Sequence, residues 1–242
     1  MNSLPNNNKP AGHKFTHLNA DELFELGRSV NHDVRAQLRH IKAFHSILME
    51  GQSAELSEEH QRCHAYVMDA CDRADQQIQS LADYFKLCAQ VPVIEQLSLQ
   101  TVFESIQSEF SSADLADCHF EPPNKVVETD ANLFSLILYE LVDNALKFHP
   151  IDTAPHQRQV RVSVKTVDGV DHLCVEDNGI GIEDRYKDQV CQAFRQLNTK
   201  DLYLGVGMGL ARVDMAARKL QLSFCIVDNN PGVSFQLRLH KP

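Results

Sequence analysis

Four short stretches of this chain hold residues whose types and spacing could do chemistry. His32 is followed directly by Asp33; a neutral imidazole can exchange a proton or offer a nitrogen lone pair as a nucleophile near neutral pH, and a neighbouring carboxylate can fix its tautomer. In YELVDNALKF (139–148), Glu140, Asn144 and Lys147 are spaced four and three apart, so a helix would place all three on one face. That arrangement suits a site, although a solvated helix face produces it as well. VEDNGIGI (175–182) follows the strand-like run 171–176 and turns on Gly179 and Gly181. Glycines there let the backbone take φ > 0 and let a flat ring approach closely. Asp177, just before the turn, is placed to accept hydrogen bonds from an exocyclic amine, and its charge strengthens them. In GVGMGLA (205–211), Gly205, Gly207 and Gly209 open an amphipathic helix whose free N–H groups and dipole suit a phosphate. The spacing is not that of the dinucleotide fingerprint GxGxxG.

The elements that must position these residues follow from periodicity. A helix starts near Asn19, where Asn-Ala-Asp-Glu fits a capping box. Leu23, Leu26, Val30, Val34, Leu38, Ile41, Phe44 and Leu48 then recur in steps of three and four, so one apolar stripe faces a partner. The stripe ends before Gly51. A second helix is expected from Ser53 to Cys88, with Tyr66, Val67, Ala70, Ala74, Ile78, Leu81 and Phe85 inward. Such a hairpin leaves its stripe half covered; two copies would close a four-helix bundle, so a homodimer is expected. His32 lies two positions after Val30, about 200° around the helix, and so points into solvent. Val91-Pro92 breaks the second helix and marks a boundary.

The rest reads as an α/β sandwich. Short strands are expected at 97–100, 118–120 and 126–128, with a helix at 101–112 between the first two. A helix at 131–149 carries Asn144. Strands 158–167 and 170–177 form a hairpin around Asp168-Gly169. A helix follows at 183–192, then a polar lid at 195–204 in which Arg195 and Lys200 could reach phosphate. A helix at 207–220 and strands at 223–227 and 233–239 end the chain. The division is therefore a disordered tail (1–18), a helical hairpin (19–92) and an α/β sandwich (93–242).

Together and in this order, the motifs resemble those of the ATP-binding domain shared by sensor histidine kinases, gyrase, Hsp90 and MutL. The run NHDVRAQLRHIKAFHSIL (31–48) is similar to the phospho-acceptor box of histidine kinases, closest to the His-Asp-x-Arg form of phytochrome-like kinases. The resemblance covers roughly residues 20 to 240. It implies that His32 accepts phosphate with Asp33 beside it. It implies that Asn144, with Glu140 a turn before it, holds Mg²⁺ and that Lys147 contacts phosphate. Asp177, backed by Gly179 and Gly181, would read adenine, Phe194 would precede the lid, and Gly205, Gly207 and Gly209 would form the phosphate loop. Two features depart from the pattern. Ala36 and Gln37 stand where the family usually has Thr or Asn and then Pro, which implies a straighter helix and little capacity to dephosphorylate a partner. Of a further glycine-rich turn only Gly232 survives, which puts that turn in doubt as a nucleotide contact.

Composition bounds the rest. The 242 residues carry a net charge of −10 and are 43% hydrophobic, enough for sizeable cores and contrary to a basic nucleic-acid surface. No apolar run approaches the roughly 20 residues of a membrane helix. Seven cysteines without CxxC spacing favour reduced thiols and a cytoplasmic setting. His60 and His64 could share a metal, but a solvated helix face is the better reading, because no carboxylate–cysteine cluster completes a site.

The expectation is an ATP-dependent protein histidine kinase. It would pass phosphate from His32 to an Asp of a response-regulator receiver domain and take input from a separate sensor protein, having no sensor domain of its own. The alternative is a phosphotransfer or scaffold protein with a non-catalytic ATP fold. An ATP-driven clamp would have no use for the His32 hairpin.

Overall fold

The computed structural model describes residues 20–50, 57–110, 118–150, 153, 157–197 and 205–239. The expected tail before Asn19 and most of the expected lid, Lys200 included, lie outside the described residues.

α1 (Ala20–Glu50) and α2 (Glu58–Ala89) form an antiparallel hairpin. Ser57 caps α2, its hydroxyl accepting from the His60 amide at 3.3 Å, and Glu58 and Glu59 complement the helix dipole in the first turn. The two helices are joined by polar contacts. Arg35 donates to Asp75 (2.7 and 3.1 Å) and to Gln79 (2.7 Å), and Lys42 pairs with Asp72 at 2.5 Å. His45 stacks on His64 with centroids 4.9 Å apart. His64 thus lies against α1 rather than on a solvated face, and no cluster of three or more metal-ligating side chains exists among the described residues.

The expected apolar stripe is not what joins α1 to α2. Val30 and Val34 are exposed, Ile41 is 49% exposed, Phe44 67% and Leu48 66%. On α2, Tyr66 is 72% exposed and Ala70 is exposed too within the single chain. The register set by Arg35 and Lys42 turns the polar face of α1 onto α2 and leaves the apolar face beside it open.

The remaining chain is a two-layer sandwich. β1 (Glu95–Ser98) pairs antiparallel with β3 (Val126–Thr129). The main sheet has the order β2-β4-β5-β7-β6. β2 (Cys118–Phe120) runs parallel to β4 (Val160–Val167); β5 (Val170–Asp177), β7 (Val233–Arg238) and β6 (Ser223–Asp228) continue it antiparallel. Asp168 and Gly169, with φ of 49° and 75°, make the two-residue turn between β4 and β5. α3 (Leu99–Glu109), α4 (Ala131–Lys147) and α6 (Gly209–Lys219) share one core with the sheet. α3 begins two residues earlier than expected, because Leu99, Val102, Phe103 and Ile106 recur at helical spacing and are all buried. α5 is a single turn, Asp184–Lys187, and turns rather than helix carry the chain on to Phe194.

Leu87 of α2 joins the sandwich core, and polar contacts hold the chain where hairpin meets sandwich. Asp130 caps α4 through Oδ1 (Leu133 N, 2.9 Å), and its Oδ2 accepts from the Val93 amide at 2.7 Å. Lys219, last residue of α6, donates to the carbonyls of Cys88 (2.8 Å) and Gln90 (2.7 Å) at the end of α2. No described helix is long and apolar enough to cross a membrane.

Candidate functional site

Strand alternation places the first site residue. Leu173 and Val175 of β5 point into the core, so Asp177, two further on, points the same way at the strand's end. A carboxylate therefore sits at the mouth of an apolar core, 4% exposed. Its Oδ1 accepts from the Gly179 amide at 2.8 Å and the Val233 amide at 3.2 Å. Oδ2 has no protein partner among the described residues. Burial outweighs these two hydrogen bonds and pushes Asp177 up to about 6.

Close approaches explain two glycines. A Cβ at Gly179 would stand 2.1 Å from the Phe148 carbonyl, where the turn crosses the end of α4. Gly179 is thus required by packing, not by the φ > 0 expected of it; the positive φ belongs to Gly181 (69°). Gly232, at φ 99°, passes directly over Asp177, and a Cβ there would lie 2.0 Å from the Asp177 carbonyl and 2.7 Å from Oδ1. The surviving glycine of the eroded turn therefore supports the Asp177 carboxylate. Behind the turn, buried His149 meets Asn178 Oδ1 at 2.9 Å. That oxygen also accepts from Gln159 N at 2.8 Å, and Asn178 donates to the Gln157 carbonyl. Burial lowers the His149 pKa.

The second wall is α4. Glu140, Asn144 and Lys147 do share one face, and all three line a cleft of about 310 Å³ with Asp177 and Gly181. Gly205, Gly207 and Gly209 close it from the other side, at the N-terminus of α6. Glu140 is 4% exposed; its Oε1 pairs with Arg212 at 2.5 Å, and burial raises its pKa. Lys147 pairs with Asp143 at 2.5 Å. The Asn144 side chain has no partner among the described residues, and its Nδ2 is buried. Arg195, on the near edge of the expected lid, also lines the cleft, and Gln196 Nε2 donates to the Gly205 carbonyl at 2.6 Å. Phe194 stands beside it with φ 61° and is 42% exposed.

These residues fit a magnesium nucleotide. An unpartnered buried carboxamide, a deep carboxylate beside it and amides at a helix N-terminus form a polar end; Ile180, Ile182, Met208 and Val233 line the rest.

His32 is not in this cleft. It stands on the open face of α1, its side chain 79% exposed, with Nδ1 3.1 Å from Asp33 Oδ1. Ser80 of α2, however, lines the cleft, so the nucleotide-sized opening faces the hairpin. Ser80 adjoins Gln79, which Arg35 binds one helical turn beyond His32. Arg35 is thereby committed to α2. Sequence reasoning missed Arg212, because nothing local marks a position one turn inside α6 as the partner of Glu140. It quoted Gly232 without a role, since only the crossing over Asp177 gives it one.

Residues 129–242 match the family of "Histidine kinase-, DNA gyrase B-, and HSP90-like ATPase" proteins. Cyanobacterial phytochrome A of Nostoc sp. is 33% identical over 96 residues, 40% of this chain and 12% of that protein. Aerobic respiration control sensor protein ArcB of Escherichia coli is 32% identical over 127 residues, 50% of this chain and 15% of that protein. The chain thus spans only a small part of these relatives' lengths. Among solved structures, full-length ShkA in complex with AMPPNP superimposes with a TM-score of 0.60 at 16% identity, covering 89% of this chain and 45% of that one. Acinetobacter baumannii histidine kinase AdeS does so with a TM-score of 0.55 at 17% identity, over 86% and 96% of the two chains. These two likenesses show that hairpin and sandwich together form a shared fold.

Proposed function

From a chain built as the catalytic core of a sensor histidine kinase, whose residues 129–242 belong to the histidine kinase-, gyrase- and HSP90-like ATPase family, we propose that this protein uses ATP to phosphorylate its own His32. It then passes the phosphoryl group to an aspartate of a response-regulator receiver domain. It works as a homodimer, each copy covering the open apolar face of the other's α1. The observation that carries this reading is that the cleft formed by Asp177, Asn144 and the Gly205–Gly209 loop faces the helix packed against the one bearing His32.

His32 Nδ1 donates to Asp33, which fixes the neutral tautomer and leaves the lone pair on Nε2. Nε2 attacks the γ-phosphorus of ATP; an N–P bond forms, the bond to the bridging oxygen breaks, and ADP leaves with that electron pair. The positive charge gained by the ring is offset by Asp33. Asp177 Oδ2 accepts from the adenine amine, and the amides at the start of α6 hold phosphate oxygens. Asn144 and Glu140 would hold Mg²⁺, whose charge offsets that of the phosphates when bound. Lys147 contributes a cation at the same end.

The scaffold alternative rested on the eroded turn. Gly232 keeps the part of that turn that backs Asp177, which favours a working site. The test is incubation with γ-labelled ATP and Mg²⁺. Label should be acid-labile and base-stable, and His32→Ala should abolish it while leaving nucleotide affinity unchanged, since His32 is outside the cleft. Equal labelling of this variant would remove His32 from the mechanism.

A further inference from the structure

The buried ion pair at the phosphate end of the cleft has an unusual composition. Glu140 Oε1 is bound by Arg212, and its Oε2 lies where a Cβ on Gly209 would come within 2.8 Å. The carboxylate is thus wedged between the guanidinium and the first residue of α6. Arg212 is one helical turn inside α6, so the helix that offers its free amides to phosphate also carries the cation that occupies Glu140. The Nε of Arg212 is buried and has no partner. The Nδ2 of Asn144, one turn along α4 from Glu140, is likewise buried and has none. Two donors without acceptors therefore flank one carboxylate that is already taken.

The charges at this end are paired within the protein. The positive side chains on the α4 and α6 walls are both neutralised, Lys147 by Asp143 and Arg212 by Glu140. A triphosphate brings several negative charges to that end, and a guanidinium with an unused N–H edge is suited to bind it bidentately. A divalent cation arriving with it needs an anionic oxygen ligand, and Glu140 is, among the described residues, the one carboxylate lining the phosphate end that is not paired with a lysine. Both demands are met by one exchange of partners.

We propose that Arg212 is a phosphate-binding and positioning residue that exchanges partners: it holds Glu140 in the nucleotide-free cleft and turns to the phosphates of a metal nucleoside triphosphate, releasing Glu140 to the metal. This rests on the nucleotide reading above. It gives the site a way to prefer metal–triphosphate over AMP without any movement of the hairpin, because AMP carries no β- or γ-phosphate to draw the guanidinium away.

The test is titration calorimetry of wild type, Arg212→Met, Arg212→Lys and Glu140→Gln, each with ATP and AMP, with and without Mg²⁺, alongside thermal unfolding. Wild type should prefer MgATP to AMP. Arg212→Met should lose about tenfold or more of that preference while AMP affinity holds, and Arg212→Lys should recover part of it. Glu140→Gln should lose the gain in affinity that Mg²⁺ gives and should bind metal-free ATP more tightly, because its guanidinium is already free. A merely structural pair would lower the unfolding temperature in both Met and Gln variants and weaken ATP and AMP equally; that result overturns the proposal. Wild-type protein that binds no ATP would sink the nucleotide reading and this inference with it, whereas wild-type preference retained in full by Arg212→Met would sink this inference alone.

Discussion

At Asp177 one carboxylate is held between two opposing demands. The folded protein raises it from the usual 3.8 to about 6 by burial. Its folded state therefore binds the proton more tightly than the unfolded chain does. The sign follows: the contribution of this group to stability is fully present below about 4 and is lost as pH rises through 6, a loss of about 3 kcal/mol. The adenine contact proposed for Asp177 runs the other way, since only the ionised form offers a charged acceptor. Nucleotide affinity should accordingly fall as pH drops below about 6, by up to about tenfold per unit. Asp177→Asn separates the two. Its Oδ1 can still accept from the Gly179 and Val233 amides, which turns its NH₂ toward the cleft. Chemical denaturation at pH 8 should show this variant more stable than wild type, and calorimetry should show about tenfold to hundredfold weaker ATP binding. Unchanged affinity would mean that the turn reads no adenine.

Among the elements, α1 has two faces with different work. Its polar face meets α2 through Arg35, Lys42 and His45. Each ion pair keeps a third to a half of its side-chain surface in solvent, which screens it. Such a seam fixes register but cannot account for a stable hairpin. The apolar face, with Ile41, Phe44, Ile47 and Leu48 all about half exposed or more, has no cover among the described residues. Burying it against a second copy supplies what the polar seam lacks. Light scattering should report twice 27.3 kDa for wild type. Ile41→Asp with Phe44→Asp should give a monomer, with loss of hairpin helicity by circular dichroism. A dimer that survives both charges would place the interface elsewhere.

On the scale of the whole molecule, α6 joins the two halves. Its first residue, Gly209, lines the phosphate end of the cleft, and its last, Lys219, binds two carbonyls at the end of α2. The helix has 11 residues and so spans about 16 Å. A cation at a helix C-terminus satisfies carbonyls that have no intrahelical partner and complements the dipole. One helix thus joins the Gly205–Gly209 loop to the end of α2. Lys219→Met should cost about 2 kcal/mol and speed amide exchange at residues 88–91. In wild type, adding ATP should slow exchange there; in the variant it should not. Equal slowing in both would mean that α6 does not carry the effect.

What the sequence determined by itself was local. The three-and-four spacing of α1 and α2, the Asp168-Gly169 turn, and the one-face grouping of Glu140, Asn144 and Lys147 all follow from periods that a short window contains. So does the exposure of His32, two positions from Val30. The place of Asp177 at a strand end before a glycine turn was legible for the same reason: a strand, a carboxylate and glycines are neighbours in the chain. Only the tertiary structure decided which face of α1 meets α2, because the polar contacts of Arg35 and Lys42 depend on residues some forty and thirty positions away. It alone gave Glu140 to Arg212 and laid Gly232 over Asp177. Partner choice and backbone crossing are set by packing between distant segments, where one missing Cβ or one guanidinium matters, and no local period records either.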